Sequence, residues 1–216
     1  MRNLLWSFAL PALLSAAQSI PLDDLSRLDM HGVNAASIQY HGAKALRLTE
    51  KAGNQSDSFA ILRNVSFHNG TIDVDVAGAP GKGAAESARG FIGIAFRIAD
   101  NGSRFECFYV RPTNARADDQ LRRNHTTQYI SFPGWPWDRL RSESPGVYES
   151  YADMVAGEWV HLRIVVSGTG ASLYVGGATQ PSLLVHDLKL GDTTGGLALW
   201  TGPGTEGCFK SLTMRP

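Results

Sequence analysis

From residue 37 onward the chain is a train of short apolar runs, each cut off by glycine, proline, asparagine or aspartate. None keeps the 3.6-residue period over the ten or more residues that a helix of ordinary length needs. The runs lie at 37–40, 45–49, 58–62, 71–76, 91–98, 104–111, 159–166, 171–175, 183–186, 196–201 and 208–214. The clearest hairpin lies at 91–111, where Asn101-Gly102 sits between two β-rich runs; such a tip supplies the left-handed backbone that a tight turn demands. Many short strands punctuated in this way predict one all-β domain built as a two-sheet antiparallel sandwich, with a turn or two of helix near 22–28.

The stretch from 111 to 141 breaks the pattern: RPTNARADDQLRRNHTTQYISFPGWPWDRLR holds six arginines, three aspartates, one histidine and two tryptophans. A connection this long is functional or disordered in a compact domain, and Tyr129, Ile130, Phe132, Trp135 and Trp137 are residues that pack rather than float. The expectation is an ordered cap over one sandwich face. Guanidinium groups offer fixed forks of donors to hydroxyl or carboxylate oxygens, and indole or phenol rings offer flat apolar faces to the C–H side of a pyranose. Arg111, Asn114, Arg122, Arg123, Tyr129, Trp135 and Trp137 are therefore candidate ligand contacts, joined by Arg97 and Trp200 on strands. The bland alternative is that Arg116, Asp118, Asp119, Arg122 and Arg123 pair among themselves and pin the loop.

Three groups could act as a base. His125 stands among Arg122, Arg123 and Asn124, whose cations favour a neutral imidazole; it is either a base or a surface histidine. Glu106 shares a strand face with Phe108 and Val110, while Phe105, Cys107, Tyr109 and Arg111 take the other face. A carboxylate on an apolar strand must be solvated or paired, and Arg97 beside Glu106 would make either a structural ion pair or an activated base. Asp119 is the third. Asp118 and Asp119 point opposite ways on an extended chain, so a shared cation with Asn114 is disfavoured and no metal-ligand set is read. Tyr148-Glu149-Ser150-Tyr151 closes the cap and brings one further acid.

The N-terminus sets the compartment. A basic start at Arg2, an apolar run from Leu4 to Leu14 and small residues at 15–17 read as a secretory signal peptide, 1–17, with the mature domain covering 18–216. The protein is expected to be secreted or periplasmic, with no membrane span. Formal charge is zero, which argues against nucleic acid as a bulk electrostatic partner. Cys107 and Cys208, the only cysteines, are either one disulfide or two separate buried thiols. Five Asn-x-Ser/Thr sequons, at Asn54, Asn64, Asn69, Asn101 and Asn124, matter only in a glycosylating host. The loop GAPGKGAAESA lacks the spacing of a phosphate cradle, and no G-x-S-x-G elbow occurs.

RGFIGIAFRIADNGSRFECFYVRPTNARADDQLRRNHTTQYIS, with GVYESYADMVAGEWVHLRIVVSGTGASLYVGG and GGLALWTGPGTEGCFKSL, resembles the 3-keto-disaccharide hydrolase domain of the concanavalin A-like lectin/glucanase superfamily. The resemblance rests on Gly93-Ile94-Ala95-Phe96-Arg97, on Gly157-Glu158-Trp159 and on 195–200, and spans about residue 58 to the C-terminus. It implies a jelly roll whose concave face holds a carbohydrate. In better-studied members a 3-oxo-sugar is cleaved or hydrated, in some with a divalent metal ion; the cofactor of this chain is otherwise unknown. The superfamily also contains lectins and laminin-type modules, so a non-catalytic carbohydrate-binding role stands beside the enzymatic one. Asp73-Val74-Asp75 puts two carboxylates on one strand face, as the E-x-D-x-E strand of retaining glucanases does, but the third acid is missing and both aspartates are expected to face solvent.

Overall fold

The computed structural model describes residues 16–54 and 58–216, so nearly all of the expected signal peptide lies outside the described residues. In chain order the elements are β1 (Gln18–Ser19), β2 (Leu28–His31), β3 (Val33–Tyr40), β4 (Ala43–Glu50), β5 (Ser58–Leu62), β6 (Gly70–Pro80), β7 (Ile92–Ile98), β8 (Phe105–Val110), α1 (Gln120–Asn124), β9 (Thr127–Phe132), α2 (Trp137–Glu143), β10 (Glu149–Ser150), β11 (Val160–Ser167), β12 (Gly170–Val175), β13 (Leu183–Val185), β14 (Gly196–Thr201) and β15 (Thr205–Arg215). All strand pairs are antiparallel. One sheet runs β13-β12-β11-β6-β15-β4-β3, with β1 paired to β15; the other runs β10-β9-β8-β7-β14-β5-β2. The expected two-sheet sandwich is the fold found.

Alternation along the strands builds the core. In the first sheet Leu46, Leu48, Ile72, Val74, Val76, Leu162, Ile164 and Phe209 are buried, and they meet Ile94, Phe96, Phe108, Leu197 and Leu199 of the second. Each such side chain contributes about 1.5–3 kcal/mol on burial. The two sheets differ on their outer faces. β11 and β12 alternate buried with partly exposed residues, as a half-solvated sheet should. By contrast β7, β8 and β14 are buried at every position. Something covers the second sheet on both sides, and that cover is where the long connection goes.

The connection is more ordered than its sequence suggests. Thr127–Phe132 is a strand of the sheet itself, paired to β8 through Glu106↔Ser131 and Phe108↔Tyr129. Only the two short helices and their flanks form the cap. Phe132-Pro133-Gly134-Trp135 closes a tight loop in which Trp135 and Ser131 exchange backbone hydrogen bonds of 2.8 and 3.0 Å. The hairpin at Asn101-Gly102 forms as expected: Gly102 has φ +71°, and a Cβ there would sit 2.6 Å from the Phe59 ring.

Three sequence expectations fail here. Arg97 is not a ligand contact, and Glu106 and Tyr129 are not at a surface; all three lie inside the sandwich. Arg97, at φ +51°, sits where β7 and β14 shift register, which swings its side chain off the regular strand. The guanidinium donates to the carbonyls of His68 (3.0 Å), Gly191 (2.6 Å) and Gly168 (2.8 Å), to Asn69 Oδ1 (3.1 Å) and to Asp192 (3.3 Å). It clamps three loops. Glu106 does not ion-pair with it: the carboxylate accepts Tyr129 Oη at 2.5 Å and the Leu190 amide at 2.7 Å. Burial pushes the Glu106 carboxyl up, and those two hydrogen bonds pull against it.

Asp73 and Asp75 do not simply face water. Asp73 is 8% exposed and accepts from His161 Nε2 (3.0 Å), Arg163 (2.6 Å) and Arg215 (3.1 Å), while Asp75 meets His161 Nδ1 at 2.9 Å. Burial raises the Asp73 carboxyl, but the hydrogen bonds from Arg163, His161 and Arg215 and the Arg163 charge outweigh that and leave it below the ordinary carboxylate range. Neither cysteine is in a disulfide, and both are buried. Cys107 is paired with Ala95 and Ile130 on the outer face of the second sheet; Cys208 is paired with Ala77 and Arg47 on the outer face of the first. The sandwich stands between them, so no disulfide joins them.

Candidate functional site

The covered outer face of the second sheet holds a cleft of about 1130 Å³. Its floor begins with a glycine. Gly93 in β7 lies between Tyr109 of β8 and Trp200 of β14 in register, and a Cβ there would meet the Phe108 carbonyl and stand 2.6 Å from Tyr109 Cβ. With no side chain between them, the Tyr109 and Trp200 rings close to 4.7 Å between centroids at 33°. They form a continuous aromatic floor, extended by Ile130 on one side and by Phe91, whose ring stands 6.2 Å edge-on to Tyr109.

Two walls rise from the floor. Gly83, Ala84, Ser87 and Arg89, from the loop before β7, face Pro203 and Gly204 after β14 along one rim. Pro133, Pro136, Trp137 and Arg141 make the other. Pro136 stands as the cap residue of α2, and the helix then presents Trp137 and, one turn on, Arg141 to the same side. Trp137 is 46% exposed, and its ring lies 4.7 Å from the Arg141 guanidinium.

The inner end of the cleft is polar. Arg111, 5% exposed, donates to the His125 carbonyl (3.0 Å), Tyr109 Oη (2.8 Å) and Gln128 Oε1 (3.1 Å), and its guanidinium lies 4.9 Å over the Tyr109 ring. Asn114 Nδ2 donates to the same carbonyl at 3.2 Å, and Arg122 Nε donates to Asn114 Oδ1 at 3.0 Å. Glu149 from β10 is buried behind this group. It takes Arg141 through Nε on Oε1 (3.0 Å) and Nη2 on Oε2 (2.7 Å), and His125 Nε2 approaches the same Oε1 at 3.1 Å. A proton on Nε2 facing the carboxylate leaves Nδ1 as the basic nitrogen. Burial lowers the His125 imidazole; Glu149 pulls it back up, and Arg141 and Arg111 push it down again, so the net direction is down. Burial also pushes the Tyr109 phenol up to about 12 and lowers the Arg111 guanidinium.

Of the residues singled out from sequence, His125, Arg111, Asn114, Trp137 and Trp200 meet in this cleft. Arg122 supports Asn114 from outside, and Arg123, which does not line the cleft, lies over the Tyr151 ring at 5.3 Å. Trp135 points elsewhere, its ring packed between Arg139 (3.8 Å) and Lys189 (4.6 Å). Asp119 does not line the cleft: its Oδ1 caps α1 by accepting the Arg122 amide at 3.0 Å. With Asn114 committed to Arg122 and His125, the Asp118-Asp119-Asn114 set does not fit a divalent cation. Among the described residues no cluster of three histidine, cysteine or acidic groups has metal-binding geometry. Among the described residues no helix is long and apolar enough to cross a membrane.

Sequence reading missed Phe91, Arg89 and Gln128 as site residues. Tyr109 was legible, since it shares a strand face with Arg111, and Glu149 was visible as the acid that closes the cap. Arg89 carried no signal, because it follows a glycine- and alanine-rich loop.

No protein-family model matches the chain, and no curated protein matches it in sequence. Solved structures do match its shape. The carbohydrate binding module CBM66 from Bacillus subtilis superposes with a TM-score of 0.56 at 14% identity, over 87% of this chain and 98% of that one. A protein of unknown function with a galectin-like fold from Bacillus subtilis gives 0.58 at 11%, over 92% and 94%. The Crh5 transglycosylase in complex with NAG gives 0.55 at 12%, over 94% and 85%. At such identities the likeness is one of fold: a galectin-like or jelly-roll sandwich shared by carbohydrate-binding and glycosidase-like proteins.

Proposed function

We propose that this is a secreted saccharide-binding protein and that the sugar lies in the cleft on the outer face of the second sheet. The observation that carries the reading is the Tyr109–Trp200 floor, 4.7 Å between rings, facing an exposed Trp137 and ending at the buried Arg111. A pyranose has apolar C–H faces and a polar equator. An aromatic floor with donors at one end matches both, and flat rings give up little conformational entropy on binding. Neighbours in fold whose names record a carbohydrate-binding module and a complex with NAG support the same ligand class. The leader read in residues 1–17 supports the secreted part of the proposal. The test is a panel of immobilised glycans with the mature protein and its Trp137→Ala variant. A bound glycan whose retention falls about ten-fold in the variant is expected. Binding to no glycan, or binding indifferent to Trp137, overturns the proposal.

One observation favours a second reading, catalysis on a 3-oxo-glycoside of the kind the sequence resembles. His125 is held neutral at the cleft wall with a carboxylate behind Nε2, the arrangement of an oriented general base. In that reaction Nδ1 would take the C2 hydrogen as a proton. The C2–H electrons would form the enolate, whose oxygen Arg111 stabilises, and its collapse would expel the C1 oxygen, which leaves with a proton. Release of glucose from 3-oxo-trehalose, lost in His125→Ala, is the expected result; no release sinks this reading.

A further inference from the structure

The charges around the cleft do not balance, and the imbalance is local. Arg89, Arg111 and Arg141 line it, against one lining carboxylate, Glu50, which accepts the Gly204 amide at 3.0 Å on the far rim. Glu149 answers Arg141 through two close contacts and shares what remains with His125. Arg111 and Arg89 form no ion pair with any carboxylate among the described residues. Arg89 donates instead to the carbonyls of Glu86 and Ala88; burial and then the Arg122 guanidinium disfavour its charge, and the Glu86 carboxylate offsets this only in part.

Arg111 is the sharper case. A guanidinium this buried is expensive to desolvate, and the protein meets it with a carbonyl, a phenol oxygen, an amide oxygen and the rings of Tyr109, Phe91 and Trp137. No negative charge touches it: Glu149 acts on it only at a distance and is already held by Arg141 and His125. Three of its five N–H donors are used, so Nε and one hydrogen of Nη1 remain for whatever enters the cleft. A neutral hydroxyl could accept one of these hydrogen bonds but would leave the charge unanswered. An oxyanion accepts a charge-assisted hydrogen bond there and neutralises the cation at the same stroke.

We infer that the saccharide taken by this cleft is acidic, its ring on the Tyr109–Trp200 floor and its oxyanion, a uronic acid carboxylate or a sulfate ester, on Arg111 and Arg89. This deepens the saccharide-binding reading and rests on it. The experiment is calorimetric titration of the mature protein with oligogalacturonates and oligoglucuronates against their carboxyl-reduced forms, and with sulfated galactan oligosaccharides against their desulfated forms. An acidic member of one pair binding about ten- to a hundred-fold tighter than its neutral partner, with the preference shrinking at high NaCl, is the expected result. The pair that shows it names the oxyanion. Arg89→Gln, a partly exposed position, is expected to remove most of the preference. Arg111→Lys, which keeps the charge and loses the planar set of donors, is expected to weaken oxyanion binding while circular dichroism stays unchanged. Equal affinity within every pair, with neutral sugars still held through Trp137, overturns the acidic ligand and leaves the saccharide site standing. Failure to bind any member overturns both.

Discussion

Replacing Arg97 separates a structural arginine from a functional one. Its guanidinium is fully buried and holds three backbone carbonyls, from His68, Gly168 and Gly191, together with Asn69 and Asp192. In Arg97→Ala each carbonyl loses its donor, and a buried acceptor left unmade costs about 1–3 kcal/mol. Asn69 Oδ1 retains the Gly168 amide at 2.9 Å, and Asp192 is half exposed, so neither adds much. Water entering the vacated space recovers part of the loss. The expected net is about 3–5 kcal/mol, the range for breaking a buried charged network. Arg97→Lys should fall between, because an ammonium with three donors can satisfy fewer of the carbonyls from one point. Urea unfolding followed by tryptophan fluorescence measures both. With a slope of about 2–3 kcal/mol/M, the alanine variant should shift the midpoint down by about 1–2 M. Glycan affinity of the still-folded lysine variant should match the parent's, since Arg97 is on the core side of the sheet. A midpoint loss under about 0.3 M, or affinity lost while the fold holds, would refute this account of Arg97.

Three further outcomes are expected. Glu149→Gln frees Arg141 and removes the carboxylate beside His125; stability should drop by about 1–3 kcal/mol, discounted because Arg141 is partly exposed, and glycan affinity should fall with it, both read on one preparation. His125 is held below its ordinary value of 6.5, so the unfolded chain binds the proton more readily: stability should fall as pH drops below about 6.5, level off once the folded imidazole titrates, and lose that part of its pH slope in His125→Asn. Both thiols are buried, with that of Cys208 pushed up to about 11, so a thiol reagent should label neither in the native protein and both after unfolding, with equal mobility on reducing and non-reducing gels.

The fold was legible because a period of two is a local property. β7 and β8 with their Asn-Gly tip, and β11 with its alternating burial, could be read residue by residue. Thr127–Phe132 was read as cap because it lies inside a long, charge-rich connection; its strand character comes from pairing with β8, which no short window contains. The site was half legible for a related reason. Side-chain type showed what could touch a sugar, and strand parity put Tyr109 and Arg111 on one face. Parity alone does not say which face points to the other sheet. Arg97 and Glu106 lie on the same hairpin as Tyr109 yet end in the interior, Glu106 by parity and Arg97 through the register shift opposite Gly196 and Leu197. The residue that makes the floor possible has no side chain at all. Gly93 reads in sequence as a weak point in a strand, and only the cross-strand register shows that Tyr109 and Trp200 flank it. If that empty position is what lets the two rings meet, then Gly93→Ala must part them or displace β8. It should harm the cleft more than any single loop substitution, although Gly93 itself carries no group that could touch a ligand.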